Sequence, residues 1–451
     1  MKHEATKTRV WGVFLTLGLI VIAVILFARN GKTSSDREPA SVTNGEFNRY
    51  AINKDLISAQ IGAEIRDNKF PEEMELSLDG GKQHANIEYS IDESSQAWME
   101  KTVGQYKPDY AAFVAIDART GRILSLVSYS GVQPNTSNLT MRATFPAASI
   151  FKVVTASAAL DLDKANPETV VPFNGANHTL YKKNVEDTKV NRWTRMMTMK
   201  EAFARSVNVI FGKMGLYIVG PQSLKQYAER YMFNQQIHGD LPIDMGHANI
   251  DPADPWGVVQ AASGFTRETT MSPLQGALMA AAVANDGIMM EPYIVDTLTD
   301  EKDVKIYEGV PKQASVVIEP AASAELRKLF NETVKNGTSR KSFRQTIRRS
   351  AFDEVEFGGK TGSLTGLNPA GKCDWFVGFA RYRGERIAVA ALTVNEKKWK
   401  VKSSMLANIF FNHYLKQDMA LSDQEMVDKP AITKRSKRGR NRRSARSIAR
   451  R

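Results

Sequence analysis

Cysteine is nearly absent from the 451 residues: Cys373 stands alone, so no disulfide can form within the chain. Its place before Asp374, Trp375 and Phe376 is that of a small residue entering a strand. Histidine is scarce as well. His84, His178 and His413 lack the spacing of a Ser–His–Asp triad, and His3 precedes a long apolar run. His238 and His247 share a stretch of seventeen residues with Asp240, Asp244, Asp251 and Asp254. That spacing fits no zinc or calcium pattern, and Pro242 and Pro252 interrupt it, so neither a metal nor another cofactor is expected. Acidic residues are missing from residues 429–451, which carry eleven lysines and arginines. The formal charge of +12 therefore belongs to a tail, the rest of the chain is close to neutral, and nucleic acid is not an expected partner.

Residues 10–28 hold 19 residues without a charge. At about 1.5 Å per residue such a helix spans roughly 30 Å, the hydrocarbon thickness of a bilayer. Lys2, Lys7 and Arg9 precede it, which places the N-terminus in the cytoplasm and the remainder outside. A cleaved signal peptide is the alternative, but its apolar region is usually shorter and ends in an Ala-x-Ala-like site; the length favours an uncleaved anchor. Residues 1–29 are thus expected to be a short cytoplasmic terminus and a transmembrane anchor. Residues 30–85 are expected to be a linker and short membrane-proximal region, breaker-rich over 31–40 and with a helix candidate at 55–66. Residues 110–116 and 123–128 are apolar strands around a hairpin turn, and 376–381 with 386–393 repeat the pattern around Gly384. Helical patterns cover 149–162 and 198–211, and residues 405–415 place Met405, Leu406, Ile409, Phe410 and Tyr414 at helical spacing. Strands at both ends of a helical middle predict an α+β domain, an antiparallel sheet with helices on its faces, over residues 86–418. The basic residues 419–451 are expected to be a disordered tail.

Three short motifs occur once each and in order. In the first, Ser149 and Lys152 lie one helical turn apart on one face. A helix N-terminus stabilises negative charge there, and a lysine whose pKa is lowered by burial can take the hydroxyl proton. In the second, Ser206-Val207-Asn208 falls between two helical patterns, the first opened by the capping box of Thr198 and Glu201. At such a turn the Ser206 hydroxyl can relay a proton, and Asn208 can both donate to and accept from a peptide amide. In the third, Lys360-Thr361-Gly362-Ser363 follows Gly358 and Gly359, a strand that permits close approach of a substrate. Its cation and hydroxyls suit a terminal carboxylate. A phosphate-binding loop would also need glycine where Glu354 stands. Together the motifs supply what acyl transfer needs.

In that order the motifs resemble those of penicillin-binding proteins, with Val207 in place of the middle Asp of Ser-Asp-Asn. The likeness extends to the hairpin from Ile116 to Leu124, to Ser272-Pro273-Leu274-Gln275, to Ala284-Asn285-Asp286-Gly287 and to the strand from Asp374, in all about residues 86–418. The resemblance implies the penicillin-binding/β-lactamase-like transpeptidase fold, here preceded by one transmembrane helix. It also implies a membrane-anchored peptidoglycan D,D-transpeptidase on the periplasmic or extracytoplasmic side of the bacterial inner membrane. In that reading Ser149 attacks the D-Ala–D-Ala carbonyl of a stem peptide and Lys152 acts as base. Ser206 passes the proton onward, Asn208 and the Lys360–Ser363 strand bind substrate, and the N–H groups of Ser149 and Ser363 hold the oxyanion. β-Lactams acylate the same serine. Alternatives are a D,D-carboxypeptidase or serine β-lactamase on the same fold, or a non-catalytic β-lactam sensor or wall-binding scaffold. The stretch before residue 86 is shorter than the pedestal of monofunctional members and leaves no room for a glycosyltransferase domain, so pairing with a polymerase is not inherited from either class; a glycosyltransferase or another cell-wall synthesis protein is a partner the resemblance allows. The basic tail would meet anionic lipid or an acidic wall polymer. The chain departs from the family at Gly264-Phe265, where Gly-Gln-Gly is usual.

Overall fold

The computed structural model describes residues 52–428 except 79–80, 135 and 187–188. The expected anchor, the residues of the linker before 52 and the basic tail beyond 428 lie outside the described residues. Among the described residues no helix is long and apolar enough to cross a membrane.

Five antiparallel strands form the central sheet: β1 (Tyr110–Asp117), β2 (Ile123–Ser130), β3 (Glu356–Leu367), β4 (Ala370–Tyr382) and β5 (Glu385–Asn395), in the order β3-β4-β5-β1-β2. β1 and β5 are buried along nearly their whole length because helices cover both faces, which is why they read as continuous apolar runs rather than alternating ones. On one face lie α1 (Glu93–Tyr106) and the C-terminal α6 (Ser403–Asp428). Phe113 of β1 meets Phe410 of α6 at 5.0 Å between ring centres, and Phe376 of β4 stacks on Phe343 at 5.4 Å. On the other face lies α4 (Pro273–Ala284), all twelve residues of which are buried. A helix apolar on every side belongs in a core. Its small residues let it settle against the strands: a Cβ on Gly276 would press on Val377 at 3.1 Å. Ser272 caps it by accepting the Gln275 N–H. α5 (Pro320–Lys335) packs beside it on β3.

The helix expected over residues 55–66 is present as Lys54–Arg66, followed by two strands, Glu73–Leu78 and Gly81–Tyr89, that the sequence reading did not place. Asn86 to Tyr89 pair with Val295 to Thr299, so this stretch joins the folded body through a partner some two hundred residues away. In α6, Leu406 and Phe410 are buried as expected, but Met405 is 37% exposed and the buried stripe runs through Ala407, Phe411 and Leu415 instead. The rings of Phe343 and Phe357, both against Phe411, turn the helix to that face.

Candidate active site

Ser149 sits in a single 3-10 turn, Ala148–Phe151, that feeds directly into α2 (Lys152–Asp161). The sequence pattern placed it in the first turn of the α-helix itself; the tighter turn begins at Ala148, whose φ of +50° is left-handed. Gly264 backs this turn with φ of +65°, so close that a Cβ there would collide with the Ala148 carbonyl. The departure at Gly264-Phe265 therefore keeps the glycine the nucleophile's turn requires.

Lys152 points back from α2 to Ser149. Its Nζ lies 2.7 Å from Ser149 Oγ and 2.8 Å from Asn208 Oδ1, and it also donates to the Ser263 carbonyl. The side chain is fully buried, and no carboxylate pairs with it among the described residues. Burial, and then the nearby Lys360 charge, hold the amine well below its ordinary pKa. The amide of Asn208 is oriented by the donation of Nδ2 to the His178 carbonyl at 2.9 Å, which leaves Oδ1 to face the lysine. Two of the three partners of Nζ can thus only accept. A neutral Lys152 gives its two N–H bonds to them, and its lone pair is left for the one partner that can donate, the Ser149 hydroxyl.

Ser206 ends the short helix Met199–Ala204, whose capping box is formed as the sequence predicts, and Asn208 opens α3 (Asn208–Lys213). Between them Ser206 takes φ of +57°, a strained position for a residue with a side chain. Its hydroxyl accepts from Lys360 Nζ at 3.1 Å. Lys360 is itself fully buried, also donates to the Thr361 carbonyl, and is pulled down to a pKa of about 7 by burial. The sequence pattern offers this cation to a carboxylate in the open cleft. The side chain reaches Ser206, which lines the cleft beside Thr361 and Ser363 of β3.

The cleft encloses about 360 Å³ and is lined by Ser149, Ser206, Asn208, Thr361, Gly362 and Ser363, so the three motifs meet in one place. Gly362 brings the β3 backbone against the nucleophile: a Cβ there would stand 3.2 Å from the Ser149 nitrogen. Several lining residues escaped the sequence reading, among them His178, Thr338 and Lys341. His178 has a lowered pKa, chiefly from burial and also from Lys152 and Lys360, opposed by a hydrogen bond to the Ser206 backbone. Thr338 touches the Thr361 hydroxyl, and Lys341 stands at the rim. None belongs to a motif, and for His178 the only signal was a histidine without a triad.

The acidic and histidine stretch lies elsewhere. Asp240 is buried and accepts backbone N–H groups of Ile294 and Val295, and Asp244 pairs with Arg66 at 2.9 Å. Among the described residues no three such side chains converge.

Comparison with known proteins gives the same picture. Residues 111–416 match the model of the penicillin binding protein transpeptidase domain. The peptidoglycan D,D-transpeptidase PbpA of Mycolicibacterium smegmatis is 27% identical over 346 residues, covering 69% of this chain and 67% of the relative. The stage V sporulation protein D of Bacillus subtilis is 26% identical, covering 68% of this chain and 48% of the relative. Among solved structures, the D,D-transpeptidase domain of a peptidoglycan glycosyltransferase from Eggerthella lenta superposes with a TM-score of 0.63 at 22% identity, over 82% of this chain and 92% of that one. Penicillin-binding protein A of M. tuberculosis, as its imipenem acyl-enzyme, gives 0.59 at 22% identity, over 78% and 82%. The structural likenesses establish the fold.

Proposed function

The chain belongs to the penicillin-binding protein transpeptidase family, and from that premise we propose that it is a peptidoglycan D,D-transpeptidase working through an acyl-enzyme on Ser149. The observation that carries this reading is the Lys152 amine. It is buried, without a carboxylate, and 2.7 Å from Ser149 Oγ, with its two acceptor-only partners satisfied.

Ser149 Oγ attacks the carbonyl between the two D-alanines as its proton passes to Lys152 Nζ. Charge develops on the carbonyl oxygen where the N–H groups of Ser149 and Ser363 supply an oxyanion site. The C–N bond then breaks. The departing amine receives that proton back from Lys152, directly or through the Ser206 hydroxyl that Lys360 holds in place, which leaves Lys152 neutral for the next step. D-Alanine leaves and the acyl group stays on Ser149 as an ester. The amine of a second stem peptide attacks the ester, gives its proton to Lys152, and the Ser149 hydroxyl is regenerated as the cross-link forms. Thr361 and Ser363 hold the terminal carboxylate, and Asn208 grips the substrate amide. β-Lactams acylate the same serine and leave no amine to depart. The apolar stretch at residues 10–28 supports a single-pass anchor with this domain outside the cytoplasmic membrane.

The test supplies a peptide ending in D-Ala–D-Ala together with an acceptor amine. D-Alanine release with formation of the amide product, both lost in Ser149→Ala, supports the reading. Release without transfer would make the enzyme a carboxypeptidase. Rapid loss of a penicillin adduct would make it a β-lactamase, and a permanent adduct with no peptide turnover a sensor or scaffold.

A further inference from the structure

Beside the catalytic cleft lies a larger groove of about 1070 Å³ between the segment that follows α5 and the C-terminal helix α6. Lys341 and Ser342 line both cavities, so the groove adjoins the cleft there. Its walls carry four cations, Lys341, Arg344, Arg349 and Lys416, and no acidic residue. None of the four forms an ion pair among the described residues; Arg349 donates to the Asn412 amide oxygen and not to a carboxylate. At its far side the Trp98 ring, 42% exposed, stacks on His413 with the rings 4.7 Å apart and parallel. Unpaired guanidinium and ammonium groups around an aromatic plate form a receptor for an anionic, partly apolar chain.

The direction of the groove says which chain. Thr338 touches Thr361, the residue at the carboxylate end of the donor, and Lys341 follows one turn later. The groove therefore leaves the cleft on the side from which D-alanine departs. The attacking amine must reach the acyl carbonyl along the path by which the leaving amine withdrew, since acylation and aminolysis are the same step in opposite directions. We propose that this groove binds the acceptor: a second, carboxylate-bearing peptidoglycan stem peptide. Its amine projects past Lys341 to the Ser149 ester while its carboxylates lie against Arg344, Arg349 and Lys416. The proposal rests on the transpeptidase reading and adds to it the place where the second strand is held.

The experiment uses the full-length protein and compares wild type with Arg344→Glu/Lys416→Glu and with the neutral Arg344→Gln/Lys416→Gln, which guards against a folding defect in the first. Acylation by fluorescent penicillin, which needs no acceptor, serves as the control and should stay within about twofold of wild type; the two residues reach neither Ser149 nor Lys152. With donor peptide held constant and an acidic stem peptide as acceptor, the acceptor KM should rise about tenfold or more in the charge-reversed variant and less in the neutral one. The fraction of acyl-enzyme lost to water should rise with it. The contrast should shrink when the acceptor's carboxylates are amidated. An unchanged acceptor KM in both folded variants overturns the proposal. So does a loss confined to binding of a phosphate-rich wall polymer, which would assign the groove to that ligand. Failure of wild type to use any acceptor, despite normal acylation, would instead refute the transpeptidase reading itself.

Discussion

Replacing Lys152 with methionine separates the chemistry of the site from its packing. Methionine keeps most of the buried volume and removes the amine. The Ser149 hydroxyl then loses its proton acceptor, because the Lys152 amine is the basic group placed within hydrogen-bond distance of it. General-base catalysis is worth about 10²–10⁴-fold, so the acylation rate should fall by that factor, or about 3–5 kcal/mol in the barrier. Stability should move far less. The Asn208 Oδ1 and Ser263 carbonyl each lose a donor, costing about 1–3 kcal/mol apiece, but a fully buried amine with no counter-charge disappears as well. The two effects oppose, and the net change should stay within about 2 kcal/mol. Stopped-flow labelling with fluorescent penicillin gives the rate, and thermal unfolding the stability. A folded Lys152→Met acylated within tenfold of wild type would refute the argument. So would a wild-type acylation rate that keeps rising to the pH where an ordinary lysine titrates, since the depressed pKa requires the rise to end well below it.

Lys360 contributes to that depression, so Lys360→Met should shift the acid limb of the acylation profile to higher pH as the neighbouring charge is lost; an unshifted limb would contradict it. The same burial makes the folded state release the Lys360 proton near pH 7 while the unfolded chain holds it to about 10.4. Stability should therefore rise with pH across that window, by up to about 1.4 kcal/mol per pH unit, and urea titrations should show a shallower rise in Lys360→Met. At Ser206, the left-handed backbone predicts that Ser206→Gly is about 1 kcal/mol more stable than Ser206→Ala, with both slow in peptide turnover; equal stability in denaturant melts would show that the turn is unstrained. Phe343 is fully buried among Phe357, Phe376 and Phe411, so Phe343→Ala should cost about 3–5 kcal/mol, read by the same melts.

What could be seen in the chain beforehand followed from local periodicity and from motif order. The hairpin β1–β2 and the buried stretch of α2 stand where apolar runs and turn residues put them, because those signals lie within a few residues of each other. The residues of the three motifs do come together around one cleft. The pairing of Asn86 to Tyr89 with Val295 to Thr299 was hidden, since a strand's partner leaves no mark in its own sequence. The burial of Lys360 was hidden for a related reason: a strand's own sequence does not reveal that Ser206 stands within reach of the amine. His178 and Thr338 belong to connecting segments and Lys341 to the four-residue helix Arg340–Phe343, all too short for a periodic pattern, and they reach the cleft through tertiary packing.

The most direct test of the account is the site of the acyl bond. Intact-mass analysis of the full chain after exposure to benzylpenicillin, followed by mapping of the modified peptide, should find one adduct, on Ser149, and none in Ser149→Ala. An adduct on Ser206 or on any other residue, or no adduct on a chain shown to be folded, would contradict the assignment of Ser149 as the nucleophile.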